Sequence, residues 1–106
     1  TKQILPSVEV FRCDLAVGAE RKALFEWVRT QHPTCNVLIN NAAIVHKTDF
    51  DTDPAIVEKA IHEIQVNLIA PVELAKLFLP LIQQNPGAAI INITSGLVFV
   101  PRAVYP

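Results

Sequence analysis

Two adjacent amides and two alanines follow a short apolar run in the middle of the chain. Residues 37–39 (Val-Leu-Ile) lead directly into Asn40, Asn41, Ala42 and Ala43. Continuous apolar runs are typical of buried parallel strands, and open α/β sheets bind ligands outside the carboxyl ends of such strands. The amides could hold a ligand or a neighbouring loop by hydrogen bonds, and the alanines would let another group approach the backbone. The same asparagines could instead form an ordinary turn.

Two further polar residues stand where they could take part in a reaction. Ser95 follows a second apolar run, residues 88–93, and its hydroxyl could bond a substrate oxygen, although Ser-Gly after a strand is also a common turn. Asn67 lies four residues before Pro71. Because proline has no amide hydrogen, the Asn67 carbonyl lacks its helical partner and could hold a water or a ligand. A purely structural proline kink is the alternative.

Patterns that would indicate a metal or a phosphate loop are incomplete. Asp49, Asp51 and Asp53 alternate as in a calcium loop, but a proline replaces the required glycine and an alanine the final glutamate. The histidines at positions 32, 46 and 62 have no spacing that places two ligands on one face. Neither a Gly-rich phosphate loop nor a Ser-centred nucleophile elbow occurs in these residues. We therefore predict no metal ion.

Composition narrows the class of protein. The chain has 106 residues, of which 51% are hydrophobic and 18% charged, and its formal net charge is −1. This balance predicts neither a nucleic-acid surface nor a polybasic membrane anchor. Apolar stretches such as residues 77–82 are too short to span a bilayer, and the first residues have no signal-peptide pattern. We expect one domain or part of one, in the cytoplasm.

Hydrophobic periodicity predicts alternating strands and helices. Strands are expected over residues 8–13, 37–39 and 89–93, with helices over 17–30 and 54–84 between them. The first helix is amphipathic, and Arg21 belongs to its charged, exposed face. This order indicates an α/β fold with three parallel strands and crossover helices, part of a doubly wound sheet. Three such strands alone would leave exposed edges, so the segment is expected to lie inside a larger sheet.

Four short motifs resemble the short-chain dehydrogenase/reductase family in order and spacing. They are Asp14-Leu15 and the segments 38–43 (LINNAA), 66–68 (VNL) and 91–96 (INITSG). The resemblance covers nearly the whole chain and implies that residues 1–106 are a partial NAD(P)-binding Rossmann domain. The glycine of the family's second motif is replaced here by Ala43.

The resemblance also implies roles for single residues. Asp14 would contact the adenine ring, and residues 40–43 would line the adenosine side of NAD or NADP and stabilise the central strand. The main-chain carbonyl of Asn67 would hold a water in a proton relay. Ser95 would hydrogen-bond the substrate oxygen. The implied activity is hydride transfer between a nicotinamide cofactor and an alcohol or carbonyl substrate of small size.

The resemblance further implies that catalytic parts lie outside these residues. The family's acid/base tyrosine lies about thirteen residues after the serine and opens a Tyr-x-x-x-Lys motif. Tyr105 is only ten residues after Ser95, so that motif is expected just beyond residue 106. The family's Gly-rich N-terminal unit is expected before residue 1. We therefore expect this segment to be inactive alone.

The competing interpretation is a non-catalytic interaction module that kept the fold and lost the chemistry. In the family, the helix that corresponds to residues 54–84 pairs with a second subunit, so a homo-oligomer is expected under either interpretation. A downstream Tyr-x-x-x-Lys would favour the enzyme. The resemblance predicts neither the substrate nor the choice between NAD and NADP.

Overall fold

The computed structural model describes residues 7–93. Its elements in chain order are the helix α1 (Gly18–Gln31), the strand β1 (Val37–Asn40), the helix α2 (Ile56–Ile64), a π-helical turn (Gln65–Ile69), the helix α3 (Ala70–Gln83) and the strand β2 (Ala89–Asn92). The two strands pair in parallel, with Val37 opposite Ala89 and Asn40 opposite Asn92. The α/β class and the parallel pairing of these two strands are confirmed.

Helix α1 occupies nearly the residues that its periodicity predicts. Glu20 lies in its first turn and Arg29 in its last, where each charge complements the helix dipole. The helix ends at Gln31, because His32 precedes a proline and is disfavoured in the helical region.

The first predicted strand does not form. Residues 8–13 carry no strand, and the sheet of the described residues contains only β1 and β2. The segment contacts α1 instead. Phe11 stacks on Trp27 with ring centroids 5.0 Å apart, and the Glu9 carboxylate lies 2.6 Å from His32 Nε2. The prediction of a three-stranded sheet is therefore wrong for the part of the chain that the structure describes.

The long helix predicted over residues 54–84 is divided by the π-helical turn. At its end, the Ala70 amide bonds the carbonyl of Gln65, five residues back instead of four. Pro71 follows immediately and cannot donate. The predicted interruption is confirmed, and it lies on the N-terminal side of the proline. Helix α2 begins two residues later than predicted, and Asp53 accepts a hydrogen bond from the Ala55 amide at 2.8 Å just before it.

The core lies between α3, α1 and one face of the sheet. Its buried members on α3 are Leu74, Phe78, Leu81 and Ile82. They pack against side chains of α1 and of the two strands: Leu24, Phe25, Val28, Leu38 and Ile90. Phe25 and Phe78 meet edge to face at 5.2 Å. Residues Val37, Ile39 and Ile91 are exposed, so the structure covers the sheet on one face.

A tight connection joins α3 to β2 at the edge of the sheet away from the polar strand ends. Asn85 donates to the carbonyl of Cys35 at 2.8 Å, and Asn36 donates to that of Pro86, also at 2.8 Å. Gly87 has a φ of 75°, a conformation that other residues rarely adopt. A Cβ added there would lie 3.3 Å from the Asn36 amide nitrogen. Both cysteines are free.

The helical run from Ile56 to Gln83 is 28 residues long and, by length and composition alone, could cross a membrane. The run is longer than the uninterrupted apolar stretches, such as residues 77–82, because the π-helical turn keeps the two helices continuous. Core helices of soluble proteins meet the same criterion. Here α3 packs its buried side chains against α1 and the sheet.

Candidate functional site

The carboxyl ends of β1 and β2 meet at one edge of the sheet and bring two amides together. The side-chain amide of Asn40 donates to Asn92 Oδ1 at 2.9 Å. The backbone amide of Ile93 donates to the Asn40 carbonyl, also at 2.9 Å. Asn92 was not predicted as a site residue, because its position opposite Asn40 depends on strand register. The Asn40 side chain is thus held in the sheet rather than free.

A concavity of about 170 Å³ lies against this edge. Asn40, Asn41 and Ala42 line one side of it. Leu15, Val66 and Pro71 contribute to the other sides, whereas Ala43 is exposed and is not part of the lining. Leu15 follows Asp14, and Val66 precedes Asn67. The structure therefore brings the predicted strand end close to the segments that carry two other predicted residues.

Asn67 lies in the middle of the π-helical turn, and its side chain holds the backbone of Ile44. Its Oδ1 accepts from the Ile44 amide at 2.9 Å, and its Nδ2 donates to the Ile44 carbonyl at 2.7 Å. This clamp fixes the chain four residues after Asn40. Single π-helical turns are frequent at functional sites. Sequence reasoning identified Asn67 through its carbonyl and missed the clamp, which depends on the path of the following loop.

Asp14 lies in the turn that leads into α1. Its Oδ1 accepts from the Ala16 amide at 3.0 Å, and its own amide donates to Glu20 Oε1 at 2.9 Å. Burial, followed by the carboxylates of Glu20 and Asp14, raises the pKa of the neighbouring Cys13 thiol. This thiol therefore stays protonated at neutral pH and is a poor nucleophile.

Arg21 is the single buried polar or charged residue within 7–93, at 5% exposure. Its Nε donates to Glu73 Oε1 at 2.7 Å, and its Nη1 donates to the Leu15 carbonyl at 2.6 Å. The prediction that Arg21 belongs to an exposed face is wrong. The position of Arg21 on α1 could not show that α3 packs over it and supplies the Glu73 carboxylate.

Two histidines meet beside the Asn67 clamp. His46 Nε2 and His62 Nδ1 are 3.1 Å apart, and the His46 amide donates to Glu63 Oε1 at 2.6 Å. Sequence spacing did not indicate this contact, which forms because the loop after β1 folds back onto α2. Within residues 7–93, no group of three or more histidine, cysteine or acidic residues could hold a metal ion.

Asp53 anchors the end of the same loop at α2. It accepts from the Lys59 ammonium at 2.5 Å and also from the Thr48 hydroxyl and the Ala55 amide. The Lys59 hydrogen bond, followed by those from Thr48 and Ala55, holds the pKa of Asp53 well below its usual range. The remaining predicted residue, Ser95, lies outside the described residues.

Comparison with known proteins gives consistent matches. A family model described as short chain dehydrogenase matches residues 1–106. The uncharacterized oxidoreductase DltE of Bacillus subtilis (strain 168) is 45% identical over 107 residues, which are 99% of this chain and 42% of DltE. This chain thus spans less than half the length of that relative.

Solved structures share the same architecture. A metagenomic short-chain oxidoreductase crystallised with NADP is 32% identical, with a TM-score of 0.71 over 82% of this chain and 38% of that one. YwfH, an NADPH-dependent reductase involved in bacilysin biosynthesis, has a TM-score of 0.78 over 98% of this chain and 41% of its own. Its identity is 24%, so this second likeness concerns the fold.

Proposed function

Since the chain belongs to the short-chain dehydrogenase family, we propose that it forms part of an NAD(P)-dependent oxidoreductase. The reaction is hydride transfer between the nicotinamide cofactor and a small alcohol or carbonyl substrate. The observation that carries the proposal is the polar edge of the sheet, where Asn40, Asn41 and Ala42 line a concavity beside the Asp14 turn. Open α/β sheets bind their ligands at this place.

The residues at this edge fit one part of a dinucleotide. A concavity of about 170 Å³ is smaller than a typical ligand cleft of roughly 300–1,000 Å³, so it takes only a portion of such a molecule. Asp14 would hold the adenine ring, and Asn40, Asn41, Ala42 and Ala43 would line the adenosine side. When bound, NAD or NADP supplies or accepts the hydride.

On the substrate side, we assign the donor to Ser95 and a proton relay to Asn67. The Ser95 hydroxyl hydrogen-bonds the reacting oxygen and stabilises the charge that develops there. The Asn67 carbonyl holds a water of the relay. The absence of an amide hydrogen on Pro71 and the π-helical turn around Asn67 both support this role.

Residues 1–106 form a partial Rossmann domain in this proposal. They contain neither the Gly-rich phosphate loop nor a Tyr-x-x-x-Lys motif. The pyrophosphate site and the acid/base pair are therefore missing from this segment. By itself, the segment binds cofactor negligibly and turns over no substrate.

A homo-oligomer is proposed through the helical run from Ile56 to Gln83. Seven large apolar side chains lie exposed along it: Val57, Ile61, Ile64, Leu68, Ile69, Val72 and Leu79. A second copy would cover this face, since such a stripe left in water is unfavourable. We assign the protein to the cytoplasm, with no nucleic-acid or membrane partner. The same stripe also supports the second candidate, a non-catalytic interaction module.

Kinetics on Ser95→Ala and Asn40→Ala variants of the protein that carries this chain test the proposal. Ser95→Ala should lower turnover by roughly 10²- to 10³-fold and leave cofactor affinity nearly unchanged, because the hydroxyl faces the substrate. Asn40→Ala should weaken cofactor binding or stability before it affects the chemical step. Ser7→Ala, at an exposed serine outside the site, is the matched control. Near-normal turnover in folded Ser95→Ala protein, with a stability loss of about 1 kcal/mol, would indicate a turn residue instead.

A further inference from the structure

The buried Arg21 joins the turn before α1 to α3, which is distant in sequence. It lies on α1, its Nε bonds Glu73 on α3 at 2.7 Å, and its Nη1 bonds the carbonyl of Leu15 at 2.6 Å. Removing a guanidinium from water is costly, and a buried ion pair often contributes little net stability. The contact with the Leu15 carbonyl points to a second role, since it constrains the backbone next to Asp14.

The turn before α1 is held at two consecutive residues by two consecutive side chains. Glu20 accepts from the Asp14 amide at 2.9 Å, and Arg21 donates to the Leu15 carbonyl. Within the turn, Val17 donates to the Asp14 carbonyl and Ala16 to the Asp14 carboxylate, both at 3.0 Å. The backbone of Asp14 is therefore determined by the first turn of α1.

Glu73 fixes Arg21 with respect to the rest of the site. It lies in the first turn of α3, two residues after Pro71. Pro71 and Leu15 line the same concavity as Asn40 and Asn41. Arg21 therefore sets the distance between the Asp14 turn and the elements that surround the strand edge.

We infer that Arg21 is a positioning residue, which, with Glu73, holds the Asp14 turn in the conformation that binds the adenosine part of the cofactor. This inference rests on the proposed function. Arg21 itself does not contact the cofactor in this account. It acts through the Leu15 carbonyl, and Glu73 orients it by occupying the guanidinium Nε.

Arg21→Met tests the inference, with Arg29→Met as its control. Arg29 lies on the same helix and pairs with Glu26 at 2.6 Å, but both side chains are more than half exposed. In the protein that carries this chain, Arg21→Met should raise the Kd for NADPH or NADH by about 10-fold, because cofactor binding must then order the Asp14 turn at a free-energy cost similar to that of the lost hydrogen bond. Turnover at saturating cofactor should stay within about twofold, and Arg29→Met should change neither quantity.

Hydrogen exchange without cofactor gives an independent readout. The Ala16 and Val17 amides, which bond Asp14, should exchange about 10-fold faster in Arg21→Met and at the normal rate in Arg29→Met. Normal exchange and a normal Kd in folded Arg21→Met, even with a lowered Tm, would overturn the inference and leave Arg21 a structural residue.

If Arg21→Met fails to fold, Arg21→Lys replaces it. A lysine ammonium cannot reproduce the guanidinium fork that reaches Glu73 and Leu15 together, so an intermediate rise in Kd is expected. A wild-type Kd in Arg21→Lys would overturn the inference. Absence of saturable cofactor binding in the wild-type protein would contradict the proposed function itself. Normal cofactor binding by the wild-type protein and by every Arg21 variant would instead contradict only the role of Arg21.

Discussion

The clamp between Asn67 and Ile44 allows a quantitative prediction for Asn67→Ala. The substitution removes two hydrogen bonds, each with a net contribution of about 1 kcal/mol. Alanine has the better helix propensity and returns about 0.5–0.7 kcal/mol. The free energy of unfolding should therefore fall by roughly 1–2 kcal/mol. Urea unfolding followed by circular dichroism measures this loss, and exchange of the Ile44 amide should accelerate because it loses its acceptor.

Two further variants make the test specific. Lys76→Ala, at an exposed position on α3, should change the free energy of unfolding by no more than about 0.5 kcal/mol. Asn67→Asp keeps an acceptor for the Ile44 amide but turns a carboxylate oxygen toward the Ile44 carbonyl, so at neutral pH it should destabilise at least as much as Asn67→Ala. An Asn67→Ala protein as stable as Lys76→Ala, with unchanged exchange at Ile44, would refute the clamp.

Three other predictions concern the core, the loop and the apolar helix face. Phe78→Ala should lower the free energy of unfolding by about 3–5 kcal/mol because Phe78 is 3% exposed, whereas Phe50→Ala, at 80% exposure, should cost less than about 0.5 kcal/mol; equal losses would contradict the described core. The lowered pKa of Asp53 contributes stability above the ordinary aspartate pKa of about 3.9, and this is lost as the pH falls toward the folded-state value. The stability difference between wild type and Asp53→Asn should thus be largest near neutral pH and shrink in acid. Urea unfolding at a series of pH values measures this difference, and a difference that does not change with pH would contradict the prediction. Leu68→Lys should dissociate the proposed oligomer in sedimentation velocity, and an unchanged sedimentation coefficient would exclude this helix face as the interface.

Sequence patterns predicted the features that depend on residues close to one another in the chain. The apolar runs before Asn40 and Asn92 are parallel strands, because buried strands of this type are recognisable from continuous apolar residues. Helix α1 follows its amphipathic periodicity. The break near Pro71 follows from its missing amide hydrogen, although sequence could not show that the helix adjusts by a π-helical turn.

Features that depend on distant contacts were missed or wrong. Residues 8–13 have strand-like composition, but strand formation requires a partner strand that the described residues do not supply. Arg21 is buried against α3 and pairs there with Glu73, which lies 52 residues further along the chain. His46 and His62 meet only because the intervening loop folds back. Each of these three features depends on tertiary packing, which the spacing of residues in the sequence does not reveal.

Cofactor titration tests the central claim most directly. NADPH and NADH are added separately to the protein that carries this chain, and the nicotinamide fluorescence is followed. We predict saturable binding of at least one cofactor, weakened in Asp14→Ala and Asn40→Ala and unchanged in the exposed control Lys22→Ala. Absence of saturable binding by the wild-type protein, or equal affinity in all variants, would contradict the placement of the cofactor at this edge of the sheet.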